Sequence, residues 1–243
     1  MNILIPMAGR GKRFEDVGYS FPKPLIDVEG KPMIQIIIEN LNLPGKHIFL
    51  CQKEHYEKYA LDKLLEMLSP KCEIIPIDGV TEGAAVTALK AKELINNDEE
   101  LIIANSDQWI NWNPQHFLSF LQNNSADGGI VTFISTHPKW SFAKVNESGL
   151  VTELAEKQPI SNIATVGIYY YRHGKIFVEA AEQMITKNIR TNNEFYVAPT
   201  FNEVIQKGGK VFHYPVAEMY GLGTPEDLQY FLKNSKKSRQ ISE

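Results

Sequence analysis

The segment Asn2-Ile3-Leu4-Ile5-Pro6-Met7-Ala8-Gly9-Arg10-Gly11-Lys12-Arg13-Phe14 joins a short apolar run to a glycine-rich, cationic turn. Asn2–Pro6 reads as a buried strand, and the turn follows it directly. Glycines at 9 and 11 let backbone N–H groups approach a ligand with no Cβ in the way, and a concave run of such groups binds phosphate. Met7, Ala8, Gly9, Gly11 and Lys12 are therefore candidate nucleotide contacts, because a triphosphate of about four negative charges suits fixed dipoles reinforced by Lys12 and Arg13. A solvated glycine-rich turn is the competing reading of the loop alone. The GxxxxGK[ST] pattern of a P-loop is missing here. The dinucleotide pattern GxGxxG has Phe14 in place of its third glycine, and Pro22 and Pro24 break the helix that should follow.

Outward from this turn, apolar β-forming runs alternate with helix-period segments. Strands are expected at Lys46–Cys51, Glu73–Ile77 and Leu101–Ala104. Between them lie apolar stripes built from Met33, Ile34, Ile37, Ile38 and Leu41, then from Tyr56, Tyr59, Ala60, Leu64, Met67 and Leu68, then from Ala84, Ala85, Ala88, Leu89 and Leu94. That order predicts an α/β fold with a mostly parallel, buried sheet flanked by helices. Beyond residue 128 strands are expected at Gly129–Ser135, Phe142–Val145, Val151–Leu154 and Ile163–Tyr171, as a smaller antiparallel insertion. Helices at Lys175–Thr186 and Phe195–Gln206 and a strand at Val211–Tyr214 follow. Thr224-Pro225-Glu226-Asp227 combines an N-cap, a proline at N1 and an acid at N3, a helix start. One domain over 1–232 is expected, with a nucleotide-binding half at 1–128, an acceptor-binding half at 129–232 and a polar tail or linker at 233–243.

The chain has 243 residues, 43% of them hydrophobic and 22% charged, the balance of a globular domain able to bury a core. No run is long enough for a membrane span or a signal-peptide core, so a cytoplasmic protein is expected. The formal net charge of −4 offers no positive field for nucleic acid. Within residues 1–24, however, Arg10, Lys12, Arg13 and Lys23 face only Glu15 and Asp16, and a small polyanion suits that bias. Cys51 and Cys72 lack a CxxC companion, and the six histidines show no ligand spacing, which argues against a disulfide framework or a zinc site.

Further candidates follow the loop. Prolines 22 and 24 restrict the backbone around Lys23, so its ammonium can be held in place; an ordinary surface lysine is the alternative. Asp107 follows the strand Leu101–Ala104, at the edge where ligands bind in open α/β sheets, and could hold Mg²⁺; a turn-forming aspartate is the alternative. Glu82 and Gly83 open a helix of small residues against which a flat base could lie; small residues that only permit tight helix packing are the alternative. Glu156 and Lys157 end a strand and could hold hydroxyls and a phosphate, or form an exposed ion pair. Trp109 lies in an aromatic stretch, 107–112, that could line an acceptor pocket or pack in the core.

In this order and spacing the segments resemble those of the sugar-phosphate nucleotidyltransferases, or nucleotide-sugar pyrophosphorylases. Gly9-Arg10-Gly11-Lys12-Arg13 is similar to that family's glycine-rich signature, Pro22-Lys23-Pro24-Leu25 to its PKP step and Gly30-Lys31-Pro32-Met33-Ile34 to its GKPMI segment. Asp107, Glu156-Lys157, Val166-Gly167-Ile168-Tyr169 and Gly223-Thr224-Pro225-Glu226-Asp227 match later motifs. The resemblance implies a GT-A-like, Rossmann-like fold and a Mg²⁺-dependent attack of a sugar phosphate on the α-phosphorus of a nucleoside triphosphate. It further implies that Arg13 binds the departing pyrophosphate, Lys23 the reacting phosphates and Asp107 the metal, with Glu156, Lys157 and Gly167 on the acceptor.

Two departures stand out. Gly221 lies where many relatives carry a second metal-binding aspartate, leaving Glu218 as the nearest acid, and Ser106 replaces the glycine of a GD pair. Such departures resemble small bacterial capsule and lipopolysaccharide enzymes, some of which use CTP and phosphorylated alditols; CTP, with UTP, dTTP or GTP as alternatives, and a sugar or alditol phosphate are thus the expected substrates. A GT-A glycosyltransferase reading Asn105-Ser106-Asp107 as its metal motif, or a non-catalytic nucleotide sensor, remains the alternative.

Overall fold

The computed structural model describes residues 1–239. The first half contains β1 (Asn2–Met7), α1 (Lys12–Glu15), a 3-10 turn over Lys23–Leu25, β2 (Asp27–Val28), β3 (Lys31–Pro32), α2 (Met33–Leu41), β4 (Lys46–Gln52), α3 (Lys53–Lys58), α4 (Leu61–Leu68), β5 (Glu73–Ile77), α5 (Ala84–Leu89), α6 (Lys92–Ile95) and β6 (Leu101–Ala104). The second contains β7 (Gln108–Asn111), α7 (Pro114–Asn123), β8 (Gly128–Ile134), β9 (Ser141–Val145), β10 (Val151–Glu156), β11 (Ile163–Tyr171), α8 (Gly174–Thr186), α9 (Thr200–Gln206), β12 (Val211–Pro215), β13 (Glu218–Gly221) and α10 (Pro225–Arg239).

The four expected strands of the first half form the parallel centre of one large sheet, in the order β6-β1-β4-β5. Ile3, Leu4, Ile5, Ile48, Phe49, Leu50, Leu101, Ile102 and Ile103, on the inner strands β1, β4 and β6, are all fully buried because helices cover both faces there, whereas the edge strand β5 leaves Glu73 and Pro76 exposed. The antiparallel part is continuous with this sheet. β11 runs against β6 on one side and β8 on the other, and its first half passes into the β9-β10 hairpin. The register of β11 against β8 shifts between Thr165 and Tyr169. Gly167, at φ +87°, lies within that irregularity.

Several expectations need correction. The stripe from Tyr56 to Leu68 is two helices, broken where Ala60 takes a left-handed φ of +46°. The stripe from Ala84 to Leu94 is likewise split between α5 and α6. The helix expected from Phe195 begins only at Thr200, since the backbone at Phe195 is bonded to the start of α5: its N–H donates to Glu82 O at 2.7 Å and its carbonyl accepts from Ala85 N at 3.0 Å. The expected polar tail is helical through Arg239, continuing from a turn anchored by buried Leu228 and Phe231 with no glycine or proline to stop it; residues 240–243 lie outside the described ones. The two-stranded ribbon of β7 and β13 was not foreseen.

Candidate functional site

Four loops leave the carboxyl ends of β1, β4, β5 and β6 on one edge of the sheet, where the parallel strands point their ligand-facing turns. Gln52, closing β4, donates from Nε2 to Ala8 O at 2.8 Å and ties down the loop after β1. Gly11 adopts φ +67° as the N-cap of α1, and a Cβ there would stand 3.3 Å from Lys23 Cβ. The loop therefore packs directly on the Pro22-Lys23-Pro24 turn. That turn is bonded internally, Leu25 N to Pro22 O at 2.8 Å and Ile26 N to Lys23 O at 3.2 Å, and it aims the Lys23 ammonium at Asp107 Oδ2.

Asp107 is brought to the same place by the ribbon. Gln108 pairs with Gly221, and the N–H of Leu222 donates to Asp107 O at 2.6 Å. A Cβ on Gly223 would lie 2.9 Å from Asp107 Oδ2, so glycine there leaves the carboxylate its space. The side chains of Lys23 and Asp107 are only 20% and 29% exposed, so the pair is partly withdrawn from solvent and interacts more strongly than a surface pair would.

Two cavities meet at Asp107. The first, about 320 Å³, is lined by Met7, Ala8, Gly9, Lys23, Gly83 and Asp107, among others. The second, about 350 Å³, is lined by Arg13, Asp107, Trp140, Glu156, Lys157 and Gly167, among others. Ala84, Asn105, Asp107 and Tyr196 border both. Gly83 is required where it stands: at φ +119°, its missing Cβ would collide with Phe195 O at 2.4 Å. Gly167 is equally constrained, since a Cβ would lie 2.2 Å from Asn105 Nδ2 while its carbonyl accepts from Asn105 N at 2.9 Å.

In the second cavity burial holds the Glu156 carboxyl above the ordinary carboxylate range, and the Ser141 hydroxyl, which donates to Oε2, pulls it partly back. Lys139 bridges elements, reaching Asp227 Oδ1 at 2.8 Å while its ammonium lies 4.7 Å from the Trp140 ring.

The structure thus gathers most of the residues named from the sequence and separates a few. Arg13 lines the second cavity rather than the first. Lys12 lies on an exposed position of α1 and lines neither. Glu82 is turned away as well: its carboxylate pairs with Arg190 at 2.5 Å. For Trp109 the packing alternative is the one seen, and its place in an acceptor pocket is corrected. Its indole packs on Tyr220 and Phe231, 5.8 and 6.0 Å between ring centres, because its position on β7 faces the start of α10. Trp140 takes the place at the cavity. Glu218 is corrected too, since it accepts from Tyr220 Oη at 2.7 Å and lines neither cavity, whereas Asp227 does. Trp140, Lys139, Tyr196 and Asp227 went unnoticed as site residues because no local pattern marks them; only Asp227 carried a signal, as the acid of a helix start.

Among the described residues no three His, Cys, Asp or Glu side chains cluster as metal ligands. The residues present do suit magnesium, which usually takes one or two protein carboxylates and completes its shell with water and substrate oxygens. Asp107 offers one carboxylate at the junction. Asp227 offers a second in the same cavity, with Oδ2 3.4 Å from where a Cβ on Gly221 would be.

Comparison with known proteins agrees with this architecture. The profile of the family described as "Nucleotidyl transferase" matches residues 3–229. The bifunctional protein GlmU of Methanocaldococcus jannaschii is 26% identical over 175 residues, which is 70% of this chain and 40% of that protein. Mannose-1-phosphate guanylyltransferase 1 of Arabidopsis thaliana is 30% identical over 178 residues, 70% of this chain and 49% of that one. The chain therefore spans half or less of the length of these curated relatives. Among solved structures, a nucleoside-diphosphate-sugar pyrophosphorylase from Vibrio cholerae RC9 has a TM-score of 0.81 at 24% identity, covering 96% of this chain and 100% of its own. The inositol-1-phosphate CTP transferase from T. maritima has a TM-score of 0.73 at 13% identity, with 96% of each chain covered. At those identities the likeness establishes the fold alone.

Proposed function

We propose, because this chain belongs to the nucleotidyl transferase family, that it transfers a nucleotidyl group from a nucleoside triphosphate to a sugar phosphate or alditol phosphate and releases pyrophosphate. The observation that carries this reading is the meeting of two cavities at Asp107. One is bordered by small residues and glycine backbone, the other by Arg13, Lys139 and Lys157, cations suited to a phosphorylated acceptor.

In this reading the nucleoside lies along Met7, Ala8, Gly9 and Gly83, with the α-phosphorus at the junction. An oxygen of the acceptor phosphate attacks that phosphorus, the bond to the α–β bridging oxygen breaks, and pyrophosphate leaves with the electron pair. No nucleophilic side chain is needed, because such chemistry depends on alignment and charge neutralisation. Lys23 neutralises charge on the reacting phosphates, and Arg13, Lys139 and Lys157 hold the acceptor phosphate. Glu156 and the Trp140 face orient the acceptor's hydroxyl-bearing skeleton. Mg²⁺, held by Asp107 with Asp227 beside it, would supply charge neutralisation at the phosphate oxygens. CTP is the first nucleotide to test, on the sequence resemblance, and GTP the next, on the guanylyltransferase relative. The product would be an activated precursor of the kind used for bacterial surface polysaccharide.

The test is pyrophosphate release over a matrix of CTP, UTP, GTP and dTTP against sugar and alditol phosphates, with and without Mg²⁺. Release from at least one pair, dependent on Mg²⁺, is expected. No release from any pair overturns the reading, and glycosyl transfer from a preformed nucleotide sugar would replace it.

A further inference from the structure

Tyr196 belongs to no motif read from the sequence, yet its side chain stands between the two cavities. Its hydroxyl donates to Glu194 Oε2, on the wall of the first cavity, and accepts from Lys157 Nζ at 2.5 Å, on the wall of the second. The Lys157 ammonium also lies 4.7 Å from the Tyr196 ring centre.

Backbone geometry holds this chain of groups in order. Lys157 adopts a left-handed φ of +55°, and its N–H donates to Trp140 O at 3.0 Å. Phe195, between Glu194 and Tyr196, is fixed to the start of α5 through both its backbone groups. A lysine in the left-handed region that glycine usually occupies is an uncommon conformation, retained when the surroundings impose it.

A phenol has one proton, and hydrogen bonds in a chain polarise one another. While the phenol donates to the Glu194 carboxylate, its oxygen is a better acceptor for the Lys157 ammonium. A second donor arriving at Glu194 weakens that donation, and with it the hold on Lys157. Resting on the nucleotidyl-transfer reading, we propose that Tyr196 is a positioning residue that couples the two cavities: a ribose hydroxyl donating to Glu194 in the first frees Lys157 for a phosphoryl group in the second. The ammonium exchanges a neutral acceptor for a charged one, and the charge-assisted bond is the stronger. Coupling of this kind is reciprocal, so each substrate strengthens binding of the other.

Calorimetric titration of the full chain with the α,β-methylene analogues of CTP, UTP, GTP and dTTP in Mg²⁺ tests the proposal. Each is run alone and with saturating glycerol 3-phosphate or α-D-glucose 1-phosphate. At least one acceptor probe is expected to lower the nucleotide Kd about 5- to 10-fold. That ratio is expected to fall to about one in Tyr196→Phe, which keeps the ring, and in Glu194→Gln, which keeps the shape. Because it is a ratio, a loss of affinity common to both titrations cancels. Nucleotide binding with a wild-type ratio of one for both probes overturns the coupling alone, as does an undiminished ratio in Tyr196→Phe. Failure of all four nucleotides to bind the wild-type chain overturns the nucleotidyl-transfer reading and the coupling with it.

Discussion

Lys23 and Asp107 meet across 84 residues of chain, and each is aimed by backbone that leaves it little choice. Lys23 sits in a proline-flanked 3-10 turn packed under Gly11, and Asp107 is clamped between the end of β6 and the ribbon. A preorganised charge at a phosphoryl centre acts in the transition state without first having to be ordered. Lys23→Ala and Asp107→Ala are each expected to lower turnover at least ~100-fold with folding preserved, as read from steady-state rates and circular dichroism. Near-normal turnover in a folded variant would remove that residue from the reacting centre. At Glu156, burial and the Ser141 hydroxyl act in opposite directions on the carboxyl. Ser141→Ala leaves burial unopposed by that bond, so the ¹³C-observed titration of Glu156 is expected to move to higher pH. An unchanged midpoint would show that the bond does not stabilise the carboxylate.

At the scale of elements, the site depends on connections that run between distant segments. The start of α5 is bonded to the backbone at Phe195, and Gly83 permits that approach only because it lacks a Cβ. Gly83→Ala is expected to cost about 2–4 kcal/mol, combining a strained φ with a collision against main chain. A denaturant midpoint unchanged from wild type would contradict the close packing of this joint. The same joint explains why the helix expected from Phe195 starts later: a local apolar pattern runs through 195–206, but the backbone before Pro199 is already committed to α5. The parallel strands, by contrast, were legible because each holds a short apolar run, buried on both faces in β1, β4 and β6, that needs no distant partner to be recognised. The β7-β13 ribbon was not, since Gln108–Asn111 and Glu218–Gly221 gain their pairing only from each other. Asp107, Lys23, Glu156, Lys157 and Gly167 could be picked out because they stand in recognisable segments. Lys139 and Trp140 could not, since their place at the site follows from where the segment before β9 meets the start of α10, with Lys139 reaching Asp227 across 88 residues.

Over the whole molecule, burial of titratable groups sets how stability responds to pH. His47, His55 and His213 all have their pKa values lowered below 6.5, in each case chiefly by burial. Folded values beneath the unfolded one mean that the unfolded chain takes up more protons as pH falls through 6.5, so stability is full above that pH and declines below it. His47 is the most enclosed of the three, stacked 5.7 Å from Phe49 with Nδ1 2.8 Å from Ser69 Oγ. Thermal melts are expected to show a lower Tm at pH 5.5 than at pH 7.5, and His47→Gln should narrow that difference. An equal difference in the variant would mean that other groups carry the pH response. Among the described residues no helix is long and apolar enough to cross a membrane. The sheet instead buries its apolar strands between helical layers and presents at one edge the two cavities on which the functional reading rests.

The central claim is that the two cavities are two halves of one reaction site, joined at Asp107. A crystal structure with an α,β-methylene nucleoside triphosphate and Mg²⁺ tests it most directly. The account predicts the base against Gly83, the α-phosphorus beside Lys23 and Asp107, and the acceptor cavity open toward that phosphorus from the side opposite the leaving group. A nucleotide bound outside the Met7–Gly9 and Gly83 walls, or with its α-phosphorus out of reach of Asp107, would contradict it.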